Sequence, residues 1–273
     1  MPQSYYFPDV TLLITHYNRS QSLQNLLSTF RALACTFGDI VVSDDGSKET
    51  HLQHLRELQP EFDFRLITTP VNKGLGNNIN KGQDAVHTPY TLYVQEDFEP
   101  SALFPDTFVD ALALFRERTE FDIIRFYSYI PYPYLRPYNE LYSEMVIPPL
   151  ATRYTKVYYY SDHPHLRRSS FSERFGRYVE GLAPDKTEYR MCISFIQHKG
   201  RGLFYNDYQQ LFTQRNTQEE PSTYTQKKRT ISKNQLLVLV RHLYRQVKYN
   251  YDIYFLKARS AARPKVHDPV RVN

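Results

Sequence analysis

Continuous apolar runs alternate with helical apolar stripes along the first 130 residues of the chain. The runs predict strands, because a strand covered on both faces of a sheet is apolar along its whole length. The stripes carry Leu or Phe every three or four residues and predict the intervening helices. The predicted strands are residues 10–15, 39–43, 64–69, 90–95 and 121–126. This alternation favours an α/β fold whose mixed, mostly parallel sheet is flanked by helices.

The pattern becomes irregular from Tyr127 to about His165, where Pro and Tyr are frequent. Long segments of weak periodicity in a compact domain are often binding regions. Regular signals return with a helix near Thr187 and a strand at Gly202–Tyr205, and a last amphipathic helix is predicted over about residues 232–256. We therefore expect a main domain over 1–226 and an extension over 227–273 that ends in a disordered tail.

Charge is divided unevenly between these two parts. The chain has 34 Lys and Arg against 29 Asp and Glu, but residues 227–273 alone contain 12 basic and 2 acidic residues. The main domain is therefore slightly acidic, which argues against nucleic acid as its partner. The basic extension is expected to meet an anionic surface, such as a membrane, through its amphipathic helix. Ordinary packing of that helix against the domain is the alternative.

The two cysteines, Cys35 and Cys192, lie in apolar stretches and have no metal-ligand spacing. They are expected to be buried thiols in a reducing compartment. Neither a secretory signal nor an apolar run of roughly 20 residues is visible. We therefore expect a cytoplasmic protein, at most peripheral on the inner face of the membrane.

Polar clusters follow three of the predicted strands: residues 15–19, 44–47 and 95–97. Ligands of open α/β sheets bind at the carboxyl ends of the strands, where these clusters would meet. Crowded carboxylates repel one another unless a cation or hydrogen-bond donors offset them, which suits Mg²⁺ or Mn²⁺. Each cluster alone could be a turn or a helix cap, but three after successive strands predict a binding edge.

Four motifs in this order and spacing resemble the family 2 glycosyltransferases of the GT-A fold. They are VTLLITHYNR, VVSDDGS, NKGLGNNINKG and YTLYVQEDFEP. The similarity covers about residues 8–130 and extends more loosely to about 215. It implies a GT-A, Rossmann-like nucleotide-binding domain, here followed by a C-terminal helical extension.

The resemblance also implies how a nucleotide-diphosphate sugar is bound. Asp44 or Asp45 is expected to accept a hydrogen bond from the base, since a carboxylate matches the N–H groups of uracil or guanine. The other positions expected to border the nucleotide or its phosphates are Thr15, Tyr17, Arg19, Lys73 and Gly74.

The segment that resembles the DxD motif of the family reads Gln95, Glu96 and Asp97. The resemblance implies that Asp97 binds a divalent metal, Mn²⁺ or Mg²⁺, while Gln95 and Glu96 lie beside the donor. Gln95 departs from the family pattern, because it replaces an acid with a neutral amide. This departure is expected to affect the affinity of the site for the metal.

The resemblance places the catalytic base in an acidic pair near the start of a helix downstream of the DxD-like segment. Glu188 matches the first acid of that pair, and Tyr189 stands in place of the second. An inverting transfer needs such a carboxylate to remove the acceptor proton. Alternatively, Glu188 only favours the positive end of its helix, with Glu180 and Asp185 as the other candidates for the base.

The expected reaction is an inverting single displacement, in cell-surface polysaccharide synthesis, from a nucleotide-diphosphate sugar to a glycan or lipid-linked acceptor. The Tyr-rich segment 127–160 would shape the acceptor site. One alternative is a degenerate relative that binds a sugar nucleotide or glycan without turnover. A nucleotidyltransferase is less consistent, because THYNRS after the first strand has no glycine. A metal site at His163 and His165 is a weaker hypothesis.

Overall fold

The computed structural model describes residues 3–148, 151–216, 220 and 235–257. Its strands are β1 (Tyr5–His16), β2 (Cys35–Asp44), β3 (Arg65–Ile67), β4 (Tyr90–Gln95), β5 (Phe98–Pro100), β6 (Ile123–Arg125), β7 (Leu135–Pro137), β8 (Tyr142–Met145), β9 (His165–Arg168), β10 (Gly202–Tyr205) and β11 (Phe212–Gln214). The helices are α1 (Ser20–Ala32), α2 (Glu49–Phe62), α3 (Leu75–Asp84), α4 (Phe104–Glu117), α5 (Phe171–Phe175), α6 (Pro184–Gln197) and α7 (Gln235–Phe255), with a 3₁₀ turn at Tyr154–Tyr158.

The main sheet is mixed and has the strand order β3-β2-β1-β4-β9-β6-β10-β8-β7. Strands β1 to β4 pair in parallel, as do β6 and β10, whereas β9 is antiparallel to both β4 and β6. The mixed, mostly parallel sheet expected from the sequence is confirmed in this arrangement.

The register of the central strands brings the three polar clusters together. Strand β1 lies between β2 and β4, with His16 opposite Asp44 and Thr15 opposite Gln95. All three strands run in the same direction, so their carboxyl ends form one edge of the sheet. The small sheet of β5 and β11 continues from that edge and places Gln214 opposite Phe98.

Two apolar layers cover the sheet. One is formed largely by side chains of α1, α2 and α4, including Leu26, Leu55 and Phe108. The other contains Ile79 of α3 and Phe195 of α6. Layers on both faces explain why successive residues of β1 and β4 are apolar.

Several elements differ from the sequence expectation. Strand β3 is shorter than residues 64–69, and β1 begins earlier than residue 10. The irregular segment from Tyr127 onward contains β7, β8 and the 3₁₀ turn, and β9 follows it in the centre of the sheet. These strands have three or four residues, too few for a period-two pattern to be distinct.

Tyrosines of this segment are divided between the core and the surface. Tyr132, Tyr159 and Tyr160 are buried and belong to the second apolar layer. Tyr129 and Tyr158 are exposed, so they are the ones among these five that a ligand can reach without displacing the core. Whether they shape an acceptor site stays a prediction.

The last described helix, α7, lies against α6 and the 3₁₀ turn. It spans most of the range predicted for the amphipathic helix; residues 232–234 and the predicted tail from residue 258 lie outside the described residues. No helix within the described ranges is long and apolar enough to cross a bilayer.

Candidate active site

Asp44 lies at the end of β2 with all of its carboxylate oxygens engaged. Oδ1 is 2.8 Å from Nδ1 of His16 and also accepts the hydroxyl of Ser47, while Oδ2 accepts the backbone N–H of Gly46 at 3.0 Å. Burial alone would raise the pKa of Asp44, but the hydrogen bonds from His16 and Ser47 outweigh it and lower the pKa. Asp44 therefore holds the turn after β2 and has little remaining capacity for a ligand.

Asp45 binds the glycine-bearing loop that follows β3. Its Oδ1 accepts the backbone N–H of Lys73 at 2.8 Å, and its Oδ2 accepts that of Gly74 at 2.9 Å. Burial raises the pKa of Asp45 despite these donors. Each oxygen keeps one lone pair, so Asp45 is better placed than Asp44 to accept a further hydrogen bond from a base.

Gly46 allows the loop to approach this closely. Its φ is +70°, a left-handed conformation that glycine adopts without strain. A Cβ at this position would lie 2.4 Å from the backbone carbon of Val71. Any other residue at position 46 would therefore push the Asn72–Gly74 loop away from Asp45.

A buried ion pair occupies the DxD-like segment. Nη1 of Arg19 lies 2.9 Å from Oδ2 of Asp97 and 3.7 Å from Oε1 of Glu96. Arg19 and Asp97 are each 4% exposed. The amide of Gln214 also donates to Oδ2 of Asp97, at 2.8 Å. The cationic group beside Asp97 in this structure is thus the guanidinium of Arg19.

The other side of Arg19 binds the chain that follows β11. Its Nη2 donates to the carbonyl of Arg215 at 3.2 Å, to Oδ1 of Asn216 at 3.0 Å and to the carbonyl of Glu220 at 3.2 Å. The carboxylate of Glu220 in turn accepts the backbone N–H of Ser22 at the start of α1. Arg19 therefore joins the end of the first strand to Arg215, Asn216 and Glu220.

The donor set fits a divalent metal poorly. Within the described part of the chain, no group of three or more His, Cys, Asp or Glu is arranged to hold one. Gln95 brings no charge, and Oδ2 of Asp97 is already engaged by Arg19 and Gln214. The side chains of the described residues do not form a metal site by themselves, and metal binding by Asp97 stays a prediction.

Aromatic rings lie between Asp97 and the loop whose Asp162 binds Glu188. The imidazole of His163 lies 5.9 Å from the ring of Phe98 and 4.6 Å from that of Tyr129. The Tyr129 hydroxyl donates to Gln214, the residue bound to Asp97. Burial is the main reason that the pKa of Tyr129 is raised, and the charges of Asp97 and Glu188 both add to it. Tyr129 thus lies within electrostatic reach of both acids.

Glu188 forms an acidic pair with a residue that the motif does not include. Its Oε1 accepts the backbone N–H of Asp162 at 3.1 Å. Burial and the nearby charge of Glu188 raise the pKa of Asp162 to about 8, and burial also raises the pKa of Glu188. The two carboxyls are close enough for the charge of Glu188 to change the pKa of Asp162. The pair therefore holds a group able to exchange a proton near neutral pH.

The remaining predicted residues are less engaged. Thr15 is buried and bonded to the hydroxyl of Tyr93 at 3.0 Å, Tyr17 is half-buried, and Lys73 is exposed. Of the other candidates for the base, Glu180 is bonded to Asn77 and Asn80, and Asp185 is exposed in the first turn of α6.

Motif reasoning missed Gln214, Glu220 and the role of Asp162. Gln214 and Glu220 lie more than a hundred residues from their partners in the chain, and no local pattern indicates them. Asp162 stands just before β9 and belongs to none of the four motifs.

The buried acids predict a pH dependence of stability. The pKa of Glu96 is raised to about 8, first by burial and then by the charge of Asp97, and that of Asp162 also to about 8. A carboxyl whose folded pKa exceeds its unfolded value stabilises the fold while protonated, and this contribution is lost as pH rises through the folded pKa. We expect the melting temperature to fall between pH 6 and 9, and to fall less in Asp162→Asn, by differential scanning fluorimetry. Equal slopes in the two proteins would contradict the raised pKa of Asp162.

Comparison with known proteins adds a family and a fold. Residues 11–175 match the sequence model of "Glycosyl transferase family 2". S. aureus TarS 1–349 in complex with UDP-GlcNAc superposes with a TM-score of 0.57 at 17% identity, covering 80% of this chain and 62% of that one. A mannosyltransferase, PcManGT from Pyrobaculum calidifontis in complex with GDP-Man and Mn²⁺, gives a TM-score of 0.51 at 14% identity, covering 76% and 57%. These matches confirm the GT-A glycosyltransferase fold.

Similarity to curated proteins is confined to part of the chain. The poly-beta-1,6-N-acetyl-D-glucosamine synthase of Staphylococcus epidermidis is 26% identical over 88 residues. That stretch is 32% of this chain and 21% of the synthase. The chain is thus related to a polysaccharide synthase over about a fifth of that protein's length.

Proposed function

Because the chain belongs to glycosyl transferase family 2, we propose that it moves a sugar from a nucleotide-diphosphate donor to a hydroxyl of a glycan or lipid-linked acceptor. The proposed setting is cell-surface polysaccharide synthesis at the cytoplasmic face of a membrane. One observation carries the proposal: Asp45 and the Arg19–Asp97 pair lie at the ends of β1, β2 and β4, and the Glu188–Asp162 pair lies just before β9, which is antiparallel to β4 and starts near its end.

The proposed chemistry is an inverting single displacement. Glu188 accepts the proton of the acceptor hydroxyl as that oxygen forms a bond to the anomeric carbon. The bond from the anomeric carbon to the diphosphate breaks, and its electron pair leaves with the nucleoside diphosphate. The raised pKa of Glu188 makes it a stronger base than a surface carboxylate.

Asp162 supports Glu188 in this proposal. Its backbone N–H holds Oε1 of Glu188, and its own carboxyl is protonated at neutral pH when Glu188 is charged. Because Asp162 is then neutral, Glu188 carries the negative charge of the pair and is the carboxylate that can accept a proton. Asp162 is therefore a positioning residue for the base.

The divalent metal belongs to the proposal only in a restricted form. The mannosyltransferase similar to this chain was solved with Mn²⁺, and here Asp97 would be the ligand. The remaining oxygen ligands would have to come from the donor phosphates and water, since Gln95 is neutral and Arg19 is bound to Asp97. When bound, the metal would offset charge on the diphosphate.

Binding without turnover is the second candidate. It is favoured by the two departures from the family pattern, Gln95 and Tyr189. The hydroxyl of Tyr189 donates to Oδ2 of Asp252 in α7 at 2.6 Å, so this residue is engaged in holding the last helix. A purified protein that binds a donor tightly and releases no nucleoside diphosphate with any acceptor would support this second candidate.

Donor binding provides the direct test of the first step. We expect one class of nucleotide sugar, screened among UDP-, GDP-, CMP- and dTDP-sugars with and without Mn²⁺, to raise the melting temperature, because a ligand that binds only the folded state stabilises it. Asp45→Asn should raise the apparent Kd for the donor at least tenfold. The amide has one acceptor oxygen in place of two, so it cannot hold the backbone N–H groups of Lys73 and Gly74 in the same way and releases their loop.

The matched control is Asp39→Asn, whose side chain pairs with Arg65 at the surface. This variant should bind the donor like the wild type. Absence of a shift with every donor would count against nucleotide-sugar binding as a whole. An unchanged Kd in Asp45→Asn would remove Asp45 from the donor site.

A further inference from the structure

We propose that the outer face of α7 binds the surface of an anionic lipid bilayer. The helix is amphipathic, but it is attached to the domain by its polar face. Its apolar face points away from the protein. The proposal concerns a surface and does not depend on the catalytic assignments above.

Polar contacts hold α7 on the domain. The carboxylate of Asp252 accepts from Tyr189, Asn250 accepts from the ammonium of Lys156 at 2.6 Å, and Gln246 donates to the carbonyl of Ala151 at 3.0 Å. Gln197 of α6 donates to the carbonyls of Ile253 and Leu256, at 3.0 and 2.7 Å. Hydrogen bonds therefore fix both the position and the rotation of the helix.

The opposite face carries a continuous apolar stripe. Its members follow one another at spacings of three or four residues, which places them on one side of a helix. They are 53 to 76% exposed: Val240, Leu243, Val247, Tyr251 and Tyr254. Soluble proteins rarely leave a continuous row of large apolar side chains exposed to water. A stripe of this length, on a helix of 21 residues, therefore indicates a partner.

Charge identifies an anionic lipid surface rather than a second copy of the chain. Arg241 is exposed and, at helical spacing, borders the stripe on one side, whereas the ammonium of Lys248 is paired with Asp252. Residues 227–273 carry 12 Lys and Arg against 2 Asp and Glu. Two copies packed through this region would bring like charges together, whereas anionic headgroups attract basic residues near the membrane surface.

The geometry matches a helix that lies in the plane of the membrane. Such helices bury an apolar face at the boundary of headgroups and acyl chains while basic residues contact the headgroups. Tyr is suited to that boundary because its ring is apolar and its hydroxyl stays hydrated. Membrane contact would hold the domain at the surface in which a lipid-linked acceptor resides; this consequence alone depends on the proposed function.

Vesicle flotation tests the surface directly. The full chain should float with vesicles containing phosphatidylserine and much less with pure phosphatidylcholine. Replacing Val240, Leu243 and Val247 together by Ser should reduce the bound fraction at least tenfold. The matched control replaces two exposed apolar residues elsewhere, Tyr6 and Val71, by Ser, and it should float like the wild type.

A fluorescence probe gives an independent reading. The chain contains no Trp, so Val247→Trp introduces a single indole on the stripe. Its emission should shift to the blue when phosphatidylserine vesicles are added, and a Val71→Trp protein should show no shift. The shift should weaken with added salt, since the attraction of the basic residues is screened.

Sedimentation separates the outcomes. A monomer that floats only with anionic vesicles supports the proposal. A dimer that the triple Ser variant converts to a monomer, with no vesicle binding, would overturn it in favour of a second copy. Absence of both would also overturn it. Transfer to a soluble acceptor should be equal in the wild type and the triple variant, so a failure of lipid binding is distinguishable from a failure of the proposed activity.

Discussion

Glu188→Gln should bind the donor normally and lose sugar transfer by about 10²–10⁴-fold, the usual contribution of a positioned general base. The amide is nearly isosteric and its oxygen can still accept the N–H of Asp162, so the position of α6 should be preserved. What is lost is the ability to accept a proton. Release of nucleoside diphosphate in the presence of acceptor measures transfer, and the ligand-induced shift in melting temperature measures donor binding.

Glu180→Gln is the matched control. Glu180 is also an acid near the start of α6, but it is exposed and bonded to Asn77 and Asn80. This variant should retain transfer within a few-fold of the wild type. If Glu188→Gln were active and Glu180→Gln were not, the base would be Glu180, and the assignment of Glu188 would be wrong.

The wild-type rate should also report the base through its pH dependence. Burial raises the pKa of Glu188, so the fraction in the charged, active form increases as pH rises through that raised value. The apparent kcat/KM should therefore increase with pH on its acidic side, and Asp162→Asn should leave this limb in place because its amide is neutral like the protonated carboxyl it replaces.

The first half of the fold could be predicted from the sequence because its signals are local. Strands β1, β2 and β4 are apolar along most of their length, and each ends in a polar cluster that the parallel register brings to one edge. The four motifs at this edge then indicated the family. Asp45 and Asp97 could be placed at the site on this basis, since each follows its strand directly.

The second half could not be predicted in the same way because its contacts are distant along the chain. Strand β9 is short, yet it lies between β4 and β6 in the centre of the sheet. Gln214 reaches Asp97 only because β11 pairs with β5. Asp162 meets Glu188 through a loop and a helix that approach only in the folded chain. Such pairings depend on tertiary packing, which the periodicity of the sequence does not indicate.

Amphipathicity was predicted for the last helix, but its orientation required the structure. An apolar stripe on a helix ordinarily faces the core. In α7 the hydrogen bonds of Asn250 and Asp252 turn the polar face inward. The sequence contains the stripe, and only the contacts show that it points outward.

Arg19→Met should destabilise the fold by about 3–5 kcal/mol, the cost of leaving a buried charge without its partner. Met keeps the length of the apolar stem, so loss of packing is small and loss of the guanidinium dominates. The change leaves Asp97 buried beside Glu96 without the cation that offsets them and releases the carbonyls of Arg215 and Glu220. For a domain of this size we expect a fall in melting temperature of roughly 6–20 °C.

Two further variants isolate the ion pair. Arg19→Met combined with Asp97→Asn should be more stable than Arg19→Met alone, because no unpaired charge remains buried in the double variant. Arg116→Met removes an exposed guanidinium from its pair with Asp9 and should cost no more than about 1 kcal/mol. A melting temperature for Arg19→Met within two degrees of the wild type, or no recovery in the double variant, would show that Arg19 does not offset the charge of Asp97. Recovery would mean that this edge of the sheet has a built-in cation, which any metal arriving with a donor must displace or share.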